Sequence, residues 1–194
     1  MTTIADIRER LRIDLHDPEG TLWPDAALDR HIERALHELS LAIPDERVAI
    51  VPTTPGSREI SLAGIPGLIT VEAVAYPSGR QPPAFVPFER WGGSVTLLAG
   101  DVPDGSNAAL FITAAHTLDG EGTTLPAHLI DVLATGAAGY ATLERALSRT
   151  ETLNVDEDVA RRYADWGRAR LTAFRQLLGE HGRARRLRTR RLTG

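Results

Sequence analysis

The chain has no cysteine, which removes disulfides, thiolate nucleophiles and cysteine-ligated zinc from consideration. That absence fits a protein made in a reducing cytoplasm. It has no lysine either: all 22 basic residues are arginine, a bias that the codons of a GC-rich genome account for. No apolar run approaches the roughly 20 residues of a membrane span. The first residues carry acids where a secretory signal would carry bases, so a soluble, unprocessed chain with no membrane partner is expected. Catalytic patterns are lacking too. His37-Glu38 would need a second histidine at Leu41 to make a zinc-protease motif. His31 and His37, six apart, fall on different faces of a helix. Trp91-Gly92-Gly93-Ser94 lacks the lysine and the following helix of a phosphate loop, and no serine or threonine sits in a nucleophile elbow. Asp25, Asp29 and Glu33, spaced by four, form a ladder that reads as a solvated helix stripe, not a metal site. No enzyme activity, cofactor or bound metal is expected.

At 194 residues with 42% hydrophobic content, the chain is long enough for one ordinary domain carrying a sizeable insertion. Its opening reads as two helices. Ile4, Ile7, Leu11 and Leu15 form one apolar stripe, and Leu28, Ile32, Leu36, Leu39 and Ile43 form another. Thr3 and Asp6 make a capping box with aspartate in the usual Glu/Gln place, and Pro44 stops the second helix. Between the helices lies an acidic elbow. Asp17-Pro18-Glu19-Gly20 breaks the first, and Trp23-Pro24-Asp25 opens the second with proline in its first turn. Aromatic residues are only 5% of the chain, so Trp23 in this acidic setting predicts a buried structural hinge, packed on Leu15 or Leu28. A helix-turn-helix reading fails because the linker is too long and acidic, and the second helix carries too many acids to attract phosphates.

From Arg47 to about His116 the periodicity changes. VAIVP, REISL, LITVEAVAY, PAFVPFERW, SVTLLAG and AALFITAA are short β-branched runs separated by Pro-Gly, Ser-Gly, Gly-Gly and Asp-Gly turns. Five or six strands in an antiparallel sheet or small barrel are expected, since no helices intervene for a doubly wound sheet. Helical spacing resumes after Pro126, with Leu129, Val132, Leu133, Gly136, Tyr140, Leu143 and Leu147 on one side. The run from Ala134 to Ala141 is mostly small. Glycine inside a helix costs about 1 kcal/mol against alanine, so another helix, internal or from a neighbouring subunit, must pack closely there. A fourth helix starts at Asn154-Val155-Asp156-Glu157, a cap with glutamate three positions on. Its stripe comprises Val159, Tyr163, Trp166, Ala169 or Arg170, Ala173, Phe174 and Leu177, with Gly179 and Gly182 as candidate stops. No internal repeat is present.

The last twelve residues concentrate the positive charge. Arg183, Arg185, Arg186, Arg188, Arg190 and Arg191 give +6 without an acid, leaving 16 arginines and 26 acids, or −10, on residues 1–182 and a net −4 overall. An acidic body with a basic arm is a partner-binding layout. Ala184, Leu187 and Leu192 interleave the arginines, so the arm offers both guanidinium forks and apolar contacts to a groove. It lacks aromatics for stacking on bases. The divisions expected are 1–46, a helical pair; 47–116, a β-rich insertion; 117–182, helices completing the bundle; and 183–194, the arm. The fold class is therefore α+β, a bundle of about four helices with a β-rich insertion.

The opening pattern L-x-D-x-x-x-x-x-W-x-D-x-x-L-x-x-x-I, on Leu15, Asp17, Trp23, Asp25, Leu28 and Ile32, resembles the amino-terminal region of head-to-tail adaptor (connector) proteins of long-tailed phages and phage-like gene transfer particles. The likeness continues through Phe111-Ile112-Thr113-Ala114-Ala115-His116-Thr117-Leu118-Asp119 and Thr123-Thr124-Leu125-Pro126, and then the small-residue helix at Leu133-Ala134-Thr135-Gly136-Ala137-Ala138. These motifs keep their order over most of residues 4–147, whereas the strand-rich middle departs from the smallest, all-helical adaptors. The resemblance implies a structural virion component: a ring, commonly of twelve copies, beneath the portal in the neck between head and tail, assembled in the host cytoplasm. Its implied partners are the portal protein, the next neck or tail component, and genomic DNA passing through the channel, whose acidic wall would let DNA slide. The arm residues Arg183, Arg185, Arg186, Leu187, Arg188, Arg190, Arg191 and Leu192 are then expected to bind the portal, with channel DNA as second candidate. The rival reading is a nucleic-acid-binding packaging component resembling a small terminase subunit.

Overall fold

The computed structural model describes residues 2–150 and 157–189. Among these residues the chain is an α+β protein of four helices and six strands. In chain order they are α1 (Ile4–Asp14), α2 (Asp25–Ala42), β1 (Asp45–Pro52), β2 (Glu59–Ser61), β3 (Leu68–Ala75), β4 (Phe88–Trp91), β5 (Ser94–Leu97), β6 (Asn107–Ala114), α3 (Ala127–Thr150) and α4 (Glu157–Thr189). Two compact units emerge: a helical unit of residues 1–43 and 116–194, and a β-rich unit of residues 44–115.

In the helical unit, α1 begins where the local chemistry predicts. The Thr3 N–H donates to Asp6 Oδ2 at 2.7 Å and the Asp6 N–H donates back to Thr3 Oγ1 at 3.4 Å, closing the capping box. The helix ends in a Schellman turn. His16 adopts φ 54°, its N–H donates to the Ile13 carbonyl at 3.1 Å, and the Asp17 N–H donates to the Arg12 carbonyl at 2.8 Å. Glycine is the usual residue in that left-handed position, and a histidine there carries strain. Leu11, Leu28, Ile32, Leu39, Leu129, Leu133 and Phe174 are fully enclosed in the unit's core.

The small face of α3 is filled by α4 of the same chain. A methyl group on Gly136 would lie 2.9 Å from Phe174 Cε2, and one on Gly139 would lie 2.9 Å from Leu171 Cγ and 3.2 Å from the Leu171 backbone nitrogen. Gly167 of α4 reciprocates: its added methyl would meet Leu143 Cγ and Thr142 Oγ1, each at 2.9 Å. The glycines thus set the interhelical distance, and their propensity cost is offset by burying Phe174 and Leu171 against bare backbone.

Three expectations for these helices need correction. Gly179 and Gly182 do not stop α4, which runs on to Thr189. Gly182 instead permits close approach, since a methyl there would lie 3.1 Å from the Ala42 carbonyl oxygen at the end of α2. Leu147 is 68% exposed, because α3 has turned its stripe away by that point. On α4, Ala169 and Ala173 face solvent while Ala160, Gly167, Leu171, Phe174 and Leu178 are buried. The stripe is displaced because Gly167, which carries no apolar side chain, occupies the centre of the contact. The expected cap residues Asn154, Val155 and Asp156 lie outside the described residues.

The β-rich unit holds two three-stranded antiparallel sheets, β1-β6-β3 and β2-β5-β4, and no closed barrel. β6 is central in the first sheet and apolar on both faces, as a strand flanked on both edges must be. Its ladder to β1 is unbroken over eight pairs, from Asp45 opposite Ala114 to Pro52 opposite Asn107. Its ladder to β3 shifts register twice, between Leu68 and Thr70 and between Val71 and Ala73. Ile60, Val95, Leu97, Val74, Leu110 and Ile112 form the core of this unit. In the second sheet, Gly92-Gly93 turns β4 into β5, with Gly92 at φ 57°.

Candidate functional site: the elbow, the histidine clasp and the arginine arm

The elbow, residues 15–24, is built around one carboxylate. Asp17 is buried, and its Oδ1 accepts the Thr21 N–H at 2.9 Å and the Thr21 hydroxyl at 3.1 Å. Its Oδ2 accepts the N–H groups of Leu22 at 2.9 Å and Trp23 at 3.0 Å. Burial pushes the Asp17 carboxyl up, but the donors at Trp23, Leu22 and Thr21 outweigh it and hold the group below its ordinary range. Asp17 looks like one more surface acid in the sequence, yet it organises the turn that delivers Trp23.

Trp23 is buried in the same cluster as Leu15 and Leu28. Its ring stands edge-on to Tyr163 of α4, centroids 6.4 Å apart and planes at 73°, and its Nε1–H donates to the Ala141 carbonyl of α3 at 3.3 Å. The indole therefore ties the elbow to both later helices. Beside it opens a cavity of about 420 Å³ whose lining includes Leu15, His16, Trp23, Thr142, Tyr163 and Trp166.

Two acids of the α2 ladder, Asp25 and Asp29, are paired by α1. Arg8 grips Asp29 with two guanidinium bonds, Nε to Oδ1 at 2.6 Å and Nη2 to Oδ2 at 2.9 Å, and Arg12 pairs with Asp25. The bond to Asp29 raises the Arg8 pKa further. Among the described residues no cluster of three His, Asp or Glu side chains is placed to hold a metal ion. His31 is buried with Nε2 2.7 Å from Glu144 Oε2; burial, opposed by that carboxylate, holds the imidazole pKa below its usual value. Glu38 accepts the Tyr140 hydroxyl, while Arg34 sits over the Tyr140 ring at 4.0 Å. These groups lock α2 to α3.

His116, unassigned from sequence, forms a second clasp. Its backbone N–H donates to Ser40 Oγ at 3.0 Å, and its Nε2 lies 3.0 Å from the Ile43 carbonyl. A carbonyl can only accept, so Nε2 carries the proton and Nδ1 accepts from the Thr124 hydroxyl at 3.0 Å. The same Thr124 oxygen accepts the Thr117 N–H. The clasp joins the end of α2 to the loop that leads into α3.

The arm is placed in part. Arg183 lies on α4 and its Nε donates to the Gly179 carbonyl at 3.1 Å. Arg185, Arg186, Leu187 and Arg188 continue the helical backbone, while Arg190, Arg191 and Leu192 lie outside the described residues. The structure thus gathers Trp23 into the core and carries the start of the arm on a 33-residue helix. Another surface group that spacing did not reveal is Trp91, 84% exposed at the β4–β5 turn. No helix among the described residues is long and apolar enough to cross a membrane. A scan against protein-family models finds no match, and a search of curated proteins finds none either.

Proposed function

We propose that this protein is a structural virion component, a head-to-tail adaptor that forms a ring under the portal and links a DNA-filled head to its tail. The observation that carries the reading is the delivery of the arginine arm. At Gly182 α4 passes close to the end of α2, and seven more helical residues, 183–189, follow. At 1.5 Å rise per residue they add about 10 Å of helix. An acidic body then carries the arginine-rich sequence onward on a helical stem, a layout suited to acidic or carbonyl-lined sites between portal subunits. The ordered likeness of the elbow, the Phe111–Asp119 strand and the α3 entry supports the same reading. So does the absence of a recognisable catalytic pattern in the sequence.

Ring closure requires head-to-tail, heterologous contacts between copies. The small-residue face of α3 is not available for them, since Phe174 and Leu171 of the same chain fill it. The contacts must use other surfaces. The rival, a DNA-binding packaging component, draws on the same arginines, because six cations without an acid would also neutralise phosphates.

Deleting residues 183–194 separates the two. The truncated protein should lose only the helix of residues 183–189 and keep its melting temperature, but no longer co-sediment with portal-bearing heads at moderate salt. Wild-type attachment by the truncated protein would refute the docking role. Loss of DNA binding with head attachment intact would favour the packaging reading.

A further inference from the structure

We infer that the β-rich unit holds a vacant strand position along β1, and that it accepts an extended, uncharged segment of a partner protein carrying one carboxylate at the end beside Arg47. The inference goes beyond the adaptor reading and does not depend on it.

The two edges of the first sheet are treated differently. β3, on one edge, has two register shifts, and the segment after it covers part of that edge. The Val86 N–H donates to the Val74 carbonyl at 2.8 Å, and the Tyr76 N–H donates to the Ala84 carbonyl at 3.0 Å. Bulges and covering segments are the usual protection of a sheet edge. β1, on the other edge, has neither. Its eight-pair ladder to β6 is regular, its centre is Val48-Ala49-Ile50-Val51, and Val48 and Ile50 are 50% and 56% exposed. A flat, apolar, regularly held edge presents a row of backbone donors and acceptors as a template for another strand.

The space along that edge is bounded. A trough of about 370 Å³ runs along residues 47–52 and is walled on its far side by Ser61, Gly64, Ile65 and Pro66, which follow β2. β2 is itself an outer strand of its sheet. The trough therefore has β1 on one side and the end of β2 with the segment after it on the other. At roughly 3.3 Å per residue, six residues of β1 match a strand of about six residues.

The lining also sets the chemistry. Arg47 is the only charged residue on the trough, fixed at one end by Nη2 donating to the Pro66 carbonyl at 3.0 Å, with Asp45 at 3.8 Å from Nη1. Everything else is apolar, small or a hydroxyl. A neutral β-branched segment satisfies the edge, and a carboxylate at one end meets the guanidinium. That carboxylate is an acidic side chain of the partner segment.

The test uses the full-length protein and synthetic hexapeptides of alternating valine and threonine. One ends in glutamate with an amidated terminus, one has a free terminal carboxylate, and one ends in lysine with an amidated terminus. Amide hydrogen exchange at residues 48–51 is the readout, because non-specific apolar sticking would not protect backbone amides. At ten times the Kd of a carboxylate-bearing peptide, the outward amides should exchange about tenfold more slowly. The two carboxylate peptides distinguish side chain from terminus: protection by the glutamate peptide supports the proposal, and protection by the free-terminus peptide alone would overturn it. Arg47→Gln should weaken those peptides without changing the melting temperature. Three further results would each overturn the inference: no protection by any peptide, equal protection by the lysine peptide, or protection that rises with protein concentration alone, which would make a second copy the occupant.

Discussion

Replacing Asp17 by asparagine tests the elbow without changing its shape. The two carboxylate oxygens accept from four donors, two on each oxygen. An asparagine keeps one acceptor oxygen and puts an NH2 group where the other was. With the NH2 toward Leu22 and Trp23 two amides face a donor; with it toward Thr21 only the Thr21 amide does, because the Thr21 hydroxyl can turn and accept from it. Leaving a buried donor unsatisfied costs about 1–3 kcal/mol, so in its better orientation the substitution should destabilise the helical unit by roughly 1–3 kcal/mol. In chains of 150–250 residues each kcal/mol moves the midpoint by about 2–4 °C, so circular dichroism at 222 nm should show a fall of roughly 2–12 °C at pH 7. Glu19→Gln, at an exposed position two residues later in the same elbow, is the control and should change little. The pH dependence gives a second check. The Asp17 pKa is lowered in the folded state, so its stabilisation is complete above the unfolded value near 4 and is lost as pH falls through the folded value. The gap between wild type and variant should shrink below about pH 4. An Asp17→Asn protein that melts with wild type at pH 7 would refute the claim that this carboxylate organises the elbow.

Gly139→Ala should cost about 1–3 kcal/mol by overpacking against Leu171, whereas Gly179→Ala, whose added methyl meets nothing within 4 Å, should stabilise α4 by up to about 1 kcal/mol; calorimetry on the pair reads both signs. Trp23→Ala should cost roughly 3–5 kcal/mol, read as a lower denaturation midpoint, and an unchanged midpoint would remove Trp23 from the core account. Tyr76 donates its hydroxyl to Asp104 Oδ1 at 2.7 Å, and this bond is the main reason the Asp104 carboxyl falls to about 2. Tyr76→Phe should raise it toward the ordinary carboxylate range in an NMR titration. Because the folded value is depressed, any stability drawn from this bond is present above about pH 4 and fades as pH falls toward 2.

Much of this architecture was readable because its signals are local. Thr3 and Asp6 sit three apart before an apolar stripe, Pro44 follows α2, and paired turn residues separate each β-branched run. The elbow's tryptophan was readable from composition, as an aromatic with no reason to face water. What escaped depends on contacts distant in sequence. Asp17 counts as an acid in any tally, and only the turn it closes shows that its charge faces inward. The α4 stripe was misplaced because Gly167 contributes nothing to an apolar pattern, although Leu143 of α3 packs on it. Gly182 looked like a helix stop because glycine serves equally for a turn and for close approach; the Ala42 carbonyl beside it decides the matter. His116 had no signal, since Ser40, Ile43 and Thr124 reach it only through the fold. The open edge of β1 could not be seen from strand propensity, which does not say which strand is left unpaired.

The adaptor reading is tested most directly by counting copies. Mass measurement of the purified protein, alone and after incubation with portal-bearing heads, reports whether it gains ring-forming stoichiometry at the portal. The account predicts many copies per head, commonly twelve, as the resemblance implies, even if the free protein is a monomer. A single copy per head, or added mass with DNA and none with portal, would contradict it.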